Sequence, residues 1–213
     1  MEEKKMEVVI NNNYADSTPY VTFTFCILCL VFWANCVGYL GEGATLAIGM
    51  CQLGCYGVYH MGTSRLTDTG NLFGTNIYGV FACVFAGIGG LANVTAGICS
   101  VVNVPFDGRV ASLSYVLSGV LLLVFVPAML RMAKTDFLIF LFGGIGVTGC
   151  GLVGLGILPE LLPLYGWALL ICGAAGFINV LKSLFSCYGV TISTGTPFLK
   201  DKKSAENTNV LDG

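Results

Sequence analysis

Charge is scarce in this sequence of 213 residues. Asp, Glu, Lys and Arg together make up 10% of it, whereas a soluble domain carries about 25%. Apolar residues make up 55% of the chain. Ten basic residues against twelve acidic ones give a net charge of −2, so there is no basic surface for nucleic acid. This composition excludes a soluble enzyme and predicts a protein whose surface faces lipid.

Histidine is also scarce, because His60 is the only one in the sequence. A histidine-based metal site or catalytic triad is therefore not expected. The ten cysteines lie in apolar stretches, unlike those of a secreted disulfide framework. The spacings Cys26-x-x-Cys29 and Cys51-x-x-x-Cys55 have no histidine or second close pair beside them. We interpret the cysteines as small packing residues, and we expect no metal, no cofactor and no enzymatic activity.

Long apolar runs dominate the sequence. A membrane helix needs about 20 mainly apolar residues, and six runs qualify: 19–40, 44–62, 72–101, 111–130, 137–158 and 164–190. Short polar connections separate them and leave no room for a soluble domain. The predicted fold class is an all-α integral membrane protein, with a six-helix transmembrane domain over 19–190 and tails at 1–18 and 191–213.

The basic residues fall almost entirely on one side of these spans. Nine basic residues lie on one side, in the two tails, at the end of the sixth span and in the connections after spans two and four. They are Lys4, Lys5, Arg65, Arg131, Lys134, Lys182, Lys200, Lys202 and Lys203, whereas Arg109 is the single basic residue on the other side. Positive residues favour the cytoplasm, so both termini are predicted to be cytoplasmic. We expect the plasma membrane first, and leave an organelle membrane open.

The middle of each span lacks acidic and basic residues. Proton-driven pumps and ion-coupled carriers keep an intramembrane charge as the coupling group, so a path for a small solute is favoured. Aromatic residues gather near the starts of spans one and three, including Phe23, Phe25, Phe73, Tyr78 and Phe81. They predict either an apolar constriction that gates by excluding water or ordinary packing and lipid contact.

Glycine is concentrated in the spans. Of 29 glycines, seven lie between positions 143 and 156 in the fifth span. Small residues let helices approach closely in lipid. We therefore expect this span to pack intimately, against its own bundle or against a neighbouring subunit.

Three segments give the chain a resemblance to the acetate uptake transporter family, which includes bacterial succinate–acetate permeases and fungal acetate or ammonia-export proteins. The first, at the end of span one, is Val37-Gly38-Tyr39. The second, at the start of span three, is Gly70-Asn71-Leu72-Phe73-Gly74, and the third, in span six, is Gly166-Trp167 with Ile171-Cys172-Gly173-Ala174. Their order agrees with the family along nearly the whole chain. The resemblance implies a compact six-helix subunit, assembled as a ring-shaped homo-hexamer, with one pore through each subunit.

The resemblance also implies a narrow ring of three apolar side chains that passes small monocarboxylates. Counted from the quoted motifs, the first position falls on Phe25 and the second on Phe81, where bacterial members carry tyrosine. The third falls near Gly143, where a leucine is expected, with Leu141 and Phe142 close by. We therefore predict a pore constriction at Phe25, Phe81 and either Leu141 or Gly143.

The predicted substrate path runs along five further residues: Pro19, Tyr20, Asn35, Asn71 and Thr75. Polar groups and helix ends near Pro19 and Tyr20 would offset the desolvation of a carboxylate, and the asparagines are candidate hydrogen-bond donors. The family's N-terminal signature, Asn-Pro-Ala-Pro-Leu-Gly-Leu, corresponds to residues 16–22 and keeps a single proline here. The fold can therefore be shared without acetate transport.

Three functions remain open from the sequence. The leading one is a channel or facilitator for small monocarboxylates, acetate first, whose partners are the carboxylate, the bilayer and further copies of the chain. The absence of charge within the spans fits a path for neutral solutes such as ammonia or urea equally well. The altered motifs also fit a non-conducting membrane scaffold.

Overall fold

The computed structural model describes residues 16–41 and 43–199 of the chain. Residues 1–15, 42 and 200–213 lie outside the described residues. Most of the two predicted tails lies there as well, together with five of the counted basic residues: Lys4, Lys5, Lys200, Lys202 and Lys203.

Six long helices make up most of the described chain. They are α1 Thr18–Cys36, α2 Ala44–Asp68, α3 Leu72–Val101, α4 Arg109–Met129, α5 Lys134–Gly154 and α6 Leu162–Ser186, with a 3-10 turn at Pro159–Leu161 before the last. Within α3, a π-helical segment at Ala82–Ile88 joins two α-helical parts, Leu72–Phe81 and Gly89–Val101. Over the described residues no strand interrupts this pattern, so the all-α prediction is confirmed there.

Five of these helical segments are long and apolar enough to cross a membrane: α1, α3, α4, α5 and Pro159–Ser186, which contains α6. The remaining helix, α2, has 25 residues and is about 38 Å long at about 1.5 Å per residue. It is less apolar than the others, in part because it carries the buried polar side chain of Gln52. Five of the six predicted spans are confirmed by length and composition, and the second stays a prediction.

Local signals set the ends of α1 and α2. Pro19 lies in the first turn of α1, where a helix does not use the missing N–H. Gly38 and Gly70 follow the two helices with φ angles of +73° and +75°, a conformation that glycine adopts without strain. At the end of α2, the N–H of Asn71 donates to the carbonyl of Leu66 at 2.9 Å, as in a Schellman motif.

Glycines bring α5 close to both of its neighbours. A Cβ added at Gly144 would lie 2.7 Å from the Leu123 side chain of α4, and one at Gly149 would lie 2.1 Å from the Tyr165 ring of α6. A side chain cannot enter either contact, because real Cβ atoms essentially never approach so closely. The predicted close packing of the fifth span is confirmed, on two sides and against its own bundle.

One end of the bundle, called the basic end below, holds most of the described basic residues: Arg65, Arg131, Lys134 and Lys182. The start of α1 is held there by a hydrogen bond from Ser17 Oγ to the carbonyl of Gly62, at 3.1 Å. The segment after α6 returns across the connection between α4 and α5, where the N–H of Leu199 donates to the carbonyl of Leu130 at 3.0 Å. Both ends of the described chain therefore lie at the basic end.

The opposite end carries Arg109, which pairs with the exposed carboxylate of Asp107 at 2.6 Å. Hydrogen bonds from the Arg109 side chain and backbone lower the pKa of Asp107 to about 2. The described basic residues are thus divided between the two ends as the sequence predicted.

Candidate transport pathway

A cavity of about 220 Å³ opens within the bundle at the basic end, and we call it the vestibule. Side chains from α1, α3, α4, α5 and α6 line it. On α1, the residues that line it, among them Thr18, Thr22 and Phe25, recur at helical spacing and so share one face. Its wall is mostly apolar, with a few polar groups near the mouth, which is the usual make-up of a small-molecule site.

A second, much smaller cavity lies deeper in the bundle, and we call it the inner chamber. Its volume is about 30 Å³, against about 220 Å³ for the vestibule. Rings and aliphatic side chains surround it, including Tyr59, Phe85 and Tyr115. The chamber is therefore a narrow, aromatic-lined space compared with the vestibule.

Phe25 lines both cavities and therefore lies at the boundary between them. Its ring stacks on that of Phe81, with centroids 5.3 Å apart and planes inclined by 7°. Both rings are buried, with exposed fractions of 8% and 4%. Two of the predicted constriction residues are thus brought into direct contact between the vestibule and the inner chamber.

The third predicted position lies on the face of α5 between the two cavities. Ile139 and Phe140 line the vestibule, and Val147 lines the inner chamber, so Gly143 lies between them at helical spacing. A Cβ added at Gly143 would lie 3.5 Å from Leu122 of α4. No leucine side chain from α5 enters at this level.

Leu141 is half-buried and lines neither cavity. Leu122 instead supplies a buried leucine beside Gly143, and it does line the vestibule. The motif count led to α5 and so could not find Leu122, which lies on a different helix; the third constriction position stays a prediction.

Polar groups cluster at the mouth of the vestibule. Asn71 caps α3, where its side-chain oxygen accepts a hydrogen bond from the N–H of Gly74 at 2.9 Å. On the facing side, Asn179 of α6 donates to the carboxylate of Asp136 at 2.8 Å and accepts from the Thr135 hydroxyl at 2.6 Å. Asp136 is the one acidic or basic residue in the described lining.

The predicted bounds of the fifth span, 137–158, left Asp136 in the connection before it. The structure places it in the first turn of α5, where acidic residues are favoured by the helix dipole. A carboxylate directly before an apolar run is the signal that indicates this place.

The other predicted path residues are divided between the vestibule and other parts of the molecule. Pro19 and Asn71 line the vestibule. Tyr20 instead lines a groove on the outer surface between α1 and α6. Asn35 is exposed near the far end of α1, and Thr75 accepts a hydrogen bond from Thr67 at 3.4 Å. Tyr20, Asn35 and Thr75 do not belong to the described lining of either cavity.

Two polar features lie beside the inner chamber. The side chain of Gln52 is fully buried and donates both to the carbonyl of Phe85 in the π segment and, at 3.4 Å, to the hydroxyl of Tyr115. Asn93 in turn donates to the Gln52 oxygen at 2.6 Å. The buried hydroxyl of Tyr59 has no hydrogen-bond partner among the described residues, so a water or a polar solute would satisfy it.

These features define a helical, polytopic membrane protein with two cavities inside its bundle. The solved structure of the bacterial acetate channel SatP has this fold: it aligns with a TM-score of 0.65, over 84% of this chain and 97% of that one, at 17% sequence identity. No family model and no curated protein matches the chain. The predicted resemblance is therefore confirmed at the level of the fold.

Proposed function

We propose that the chain forms a membrane channel for small monocarboxylates, with acetate as the first candidate. The observation that supports this most strongly is the Phe25–Phe81 stack between the vestibule and the inner chamber. A constriction made of apolar rings gates a path by excluding water. The fold shared with a bacterial acetate channel supports the same conclusion.

The carried species is the neutral acid. Burial of an unpaired carboxylate between two phenyl rings would cost far more than burial of a neutral carboxyl group. A carboxylate about 5 Å from Asp136 would also be repelled by about 3 kcal/mol at an effective dielectric constant of about 20. In this mechanism Asn71 offers hydrogen bonds at the mouth, and the unpartnered Tyr59 hydroxyl offers the next polar contact beyond the rings.

A path for ammonia is the second candidate, and one observation favours it. The described vestibule lining contains one carboxylate and no lysine or arginine, which attracts a small cation more readily than an anion. Ammonium would be held at Asp136 and would cross the rings as neutral ammonia. Lys182 is one turn beyond Asn179 on α6, but it lies outside that lining and donates to Thr194 at 3.4 Å.

The proposed assembly and location follow the family resemblance. We propose a ring-shaped homo-hexamer in the plasma membrane with the basic end in the cytoplasm. The basic residues described at that end support the orientation through the positive-inside rule. Cross-linking of the protein in native membranes should give a ladder that stops at six subunits, and a shorter ladder would contradict the hexamer.

The decisive experiment is uptake of radiolabelled acetate into liposomes that contain the purified protein, measured from pH 5 to 7.5. We expect protein-dependent uptake that rises as the pH falls toward the pKa of a carboxylic acid, about 4–5, and that propionate inhibits. Inhibition of this uptake by methylammonium but not by propionate would instead support ammonia as the transported solute. No transport of either solute by folded protein would leave the non-conducting scaffold.

A further inference from the structure

Two cysteine thiols are in contact between α1 and α5. The Sγ atom of Cys36, the last residue of α1, lies 3.6 Å from the Sγ atom of Cys150. Bonded sulfur atoms in a disulfide are about 2.0 Å apart, so the pair would have to approach by about 1.6 Å. A displacement of this size is on the scale of a modest side-chain rotation rather than of a helix movement.

The packing around Cys36 keeps its thiol on the side of α5. Cys36 is 6% exposed. The backbone of α6 passes so close that a Cβ added at Gly166 would lie 2.6 Å from the Cβ atom of Cys36. Because α6 closes that side, the contact between the two sulfur atoms is held by the close packing of α6 against α1.

A covalent bond at this position would connect two helices that otherwise meet mainly through a third. Both α1 and α5 pack along α6, while they have few direct contacts with each other. Cys150 also lines the inner chamber, one helical turn from Val147. A bond from Cys150 to Cys36 would therefore fix the wall of the chamber on the side away from the vestibule.

Two other pairs of thiols interact, Cys29 with Cys172 and Cys51 with Cys55, but both members of the first pair are buried and the second pair lies within one helix, α2. Cys172 is fully buried in the centre of the bundle, and its thiol donates to the carbonyl of Ile139 at 3.3 Å. Cys83 and Cys187 are exposed.

The Cys36–Cys150 pair lies toward the end of the bundle opposite the basic end. In the proposed orientation that end faces the non-cytoplasmic side, where disulfides form and persist.

We propose that Cys36 and Cys150 form an intramolecular disulfide, which makes this pair a site of redox modification. The two thiols lose two protons and two electrons as the S–S bond forms. A second disulfide, such as oxidised glutathione or the disulfide of a thiol oxidoreductase, accepts them and leaves as two thiols. The proposal concerns the covalent state of the chain and does not depend on which solute it carries.

The test is cysteine mapping of the full, detergent-purified protein. The reduced protein is incubated with oxidised glutathione, free thiols are alkylated, and the digest is read by mass spectrometry. We expect a cross-linked peptide pair that contains Cys36 and Cys150, together with loss of alkylation at these two of the ten cysteines. Reduction before alkylation should restore both.

Three variants make the assignment specific. Cys36→Ser and Cys150→Ser should each abolish the cross-link, while Cys83→Ser, which removes an exposed thiol, should leave it unchanged. In wild-type protein, reaction of Cys83 with glutathione shows that the oxidant was active. If Cys36 is still fully alkylated in that sample, the proposal is overturned. A cross-link from Cys36 to any other cysteine would also overturn it. The wild-type map decides the question even where a serine variant folds poorly.

Discussion

Removal of the Phe25 ring is the most informative perturbation of the proposed path. Phe25 is the residue that borders both cavities, so Phe25→Ala would join the vestibule of about 220 Å³ to the chamber of about 30 Å³. The ring's own volume would be added to that space. The result would be one continuous cavity of at least about 250 Å³, which is large enough and polar enough at its mouth to fill with water.

The expected gain in rate follows from the hydration of the solute at the constriction. A carboxyl group that crosses dry rings gives up its hydrogen bonds, and a group left without a partner costs about 1–3 kcal/mol. Water admitted by the Ala variant would recover that amount. The barrier would fall accordingly, and the rate would rise roughly 5- to 150-fold. The gain should be larger for lactate than for acetate, because lactate is the bulkier acid.

The assay is paired uptake of acetate and lactate into liposomes at one pH. Phe25→Leu keeps an apolar group at the boundary and should stay close to wild type. Phe23→Ala removes the same ring from an exposed position on the same helix, so it serves as the matched control. Wild-type rates in a folded Phe25→Ala protein would refute the reasoning, as would an equal increase in Phe23→Ala. Deletion of a buried ring costs about 3–5 kcal/mol of stability, so the Phe25→Ala protein could fail to fold. Size-exclusion chromatography of the purified variant distinguishes that failure from both outcomes.

Four further predictions follow from single contacts. Phe81→Ala should widen the path and raise lactate flux more than acetate flux, and unchanged uptake of both acids would argue against its place in the constriction. Asp136→Asn removes a repulsion of about 3 kcal/mol that acts on the carboxylate and not on the neutral acid, so acetate uptake at pH 5 should stay close to wild type, and a large rise there would contradict the neutral-acid path. If ammonium is the cargo, methylammonium uptake should fall, and the distant Asp107→Asn should change neither. Gly149→Ala should lower the stability in detergent by about 1–3 kcal/mol, because its Cβ would lie 2.1 Å from the Tyr165 ring, whereas Gly54→Ala, with open space at its Cβ, should not destabilise; equal melting temperatures would refute the close contact. The pKa of Asp107 is lowered to about 2, so the stability from its pair with Arg109 is complete above its ordinary pKa of about 3.9 and is lost as the pH falls through 2. The difference in melting temperature between wild type and Asp107→Asn should therefore be the same at every pH from 5 to 8, and a difference that varies over this range would contradict the lowered pKa.

Much of the helical arrangement could be predicted because lipid imposes length and apolarity on each span. Runs of about 20 apolar residues located five helices, and the first predicted span, 19–40, starts one residue after α1 starts and extends four residues beyond its end at Cys36. The bounds of the fifth span were less accurate. Its helix begins at Lys134 rather than after Asp136, because charged residues in a first turn look like part of a connection.

The side-chain positions were harder to predict because an apolar helix in a membrane carries little periodic signal. Lipid-facing and core-facing positions are both apolar, so the sequence does not reveal how a helix is rotated about its axis. Pro19 and Tyr20 are neighbours, but successive residues are about 100° apart around a helix. As a result, Pro19 borders both the vestibule and the outer groove, while Tyr20 borders the groove alone. The Phe25–Phe81 contact was predicted only through the family motifs, which carry that rotation implicitly.

The π segment of α3 also explains a property of α2. A change from α to π hydrogen bonding leaves a main-chain carbonyl without its partner in the helix, and such a group must be paired when it is buried. The carbonyl of Phe85, inside the π segment, accepts a hydrogen bond from Gln52, a side chain on another helix. The lower apolarity of α2 is therefore in part the cost of an irregularity in α3. The two helices are therefore coupled through one side chain, because an aliphatic residue in place of Gln52 would leave the Phe85 carbonyl, the Tyr115 hydroxyl and the Asn93 amide without this partner.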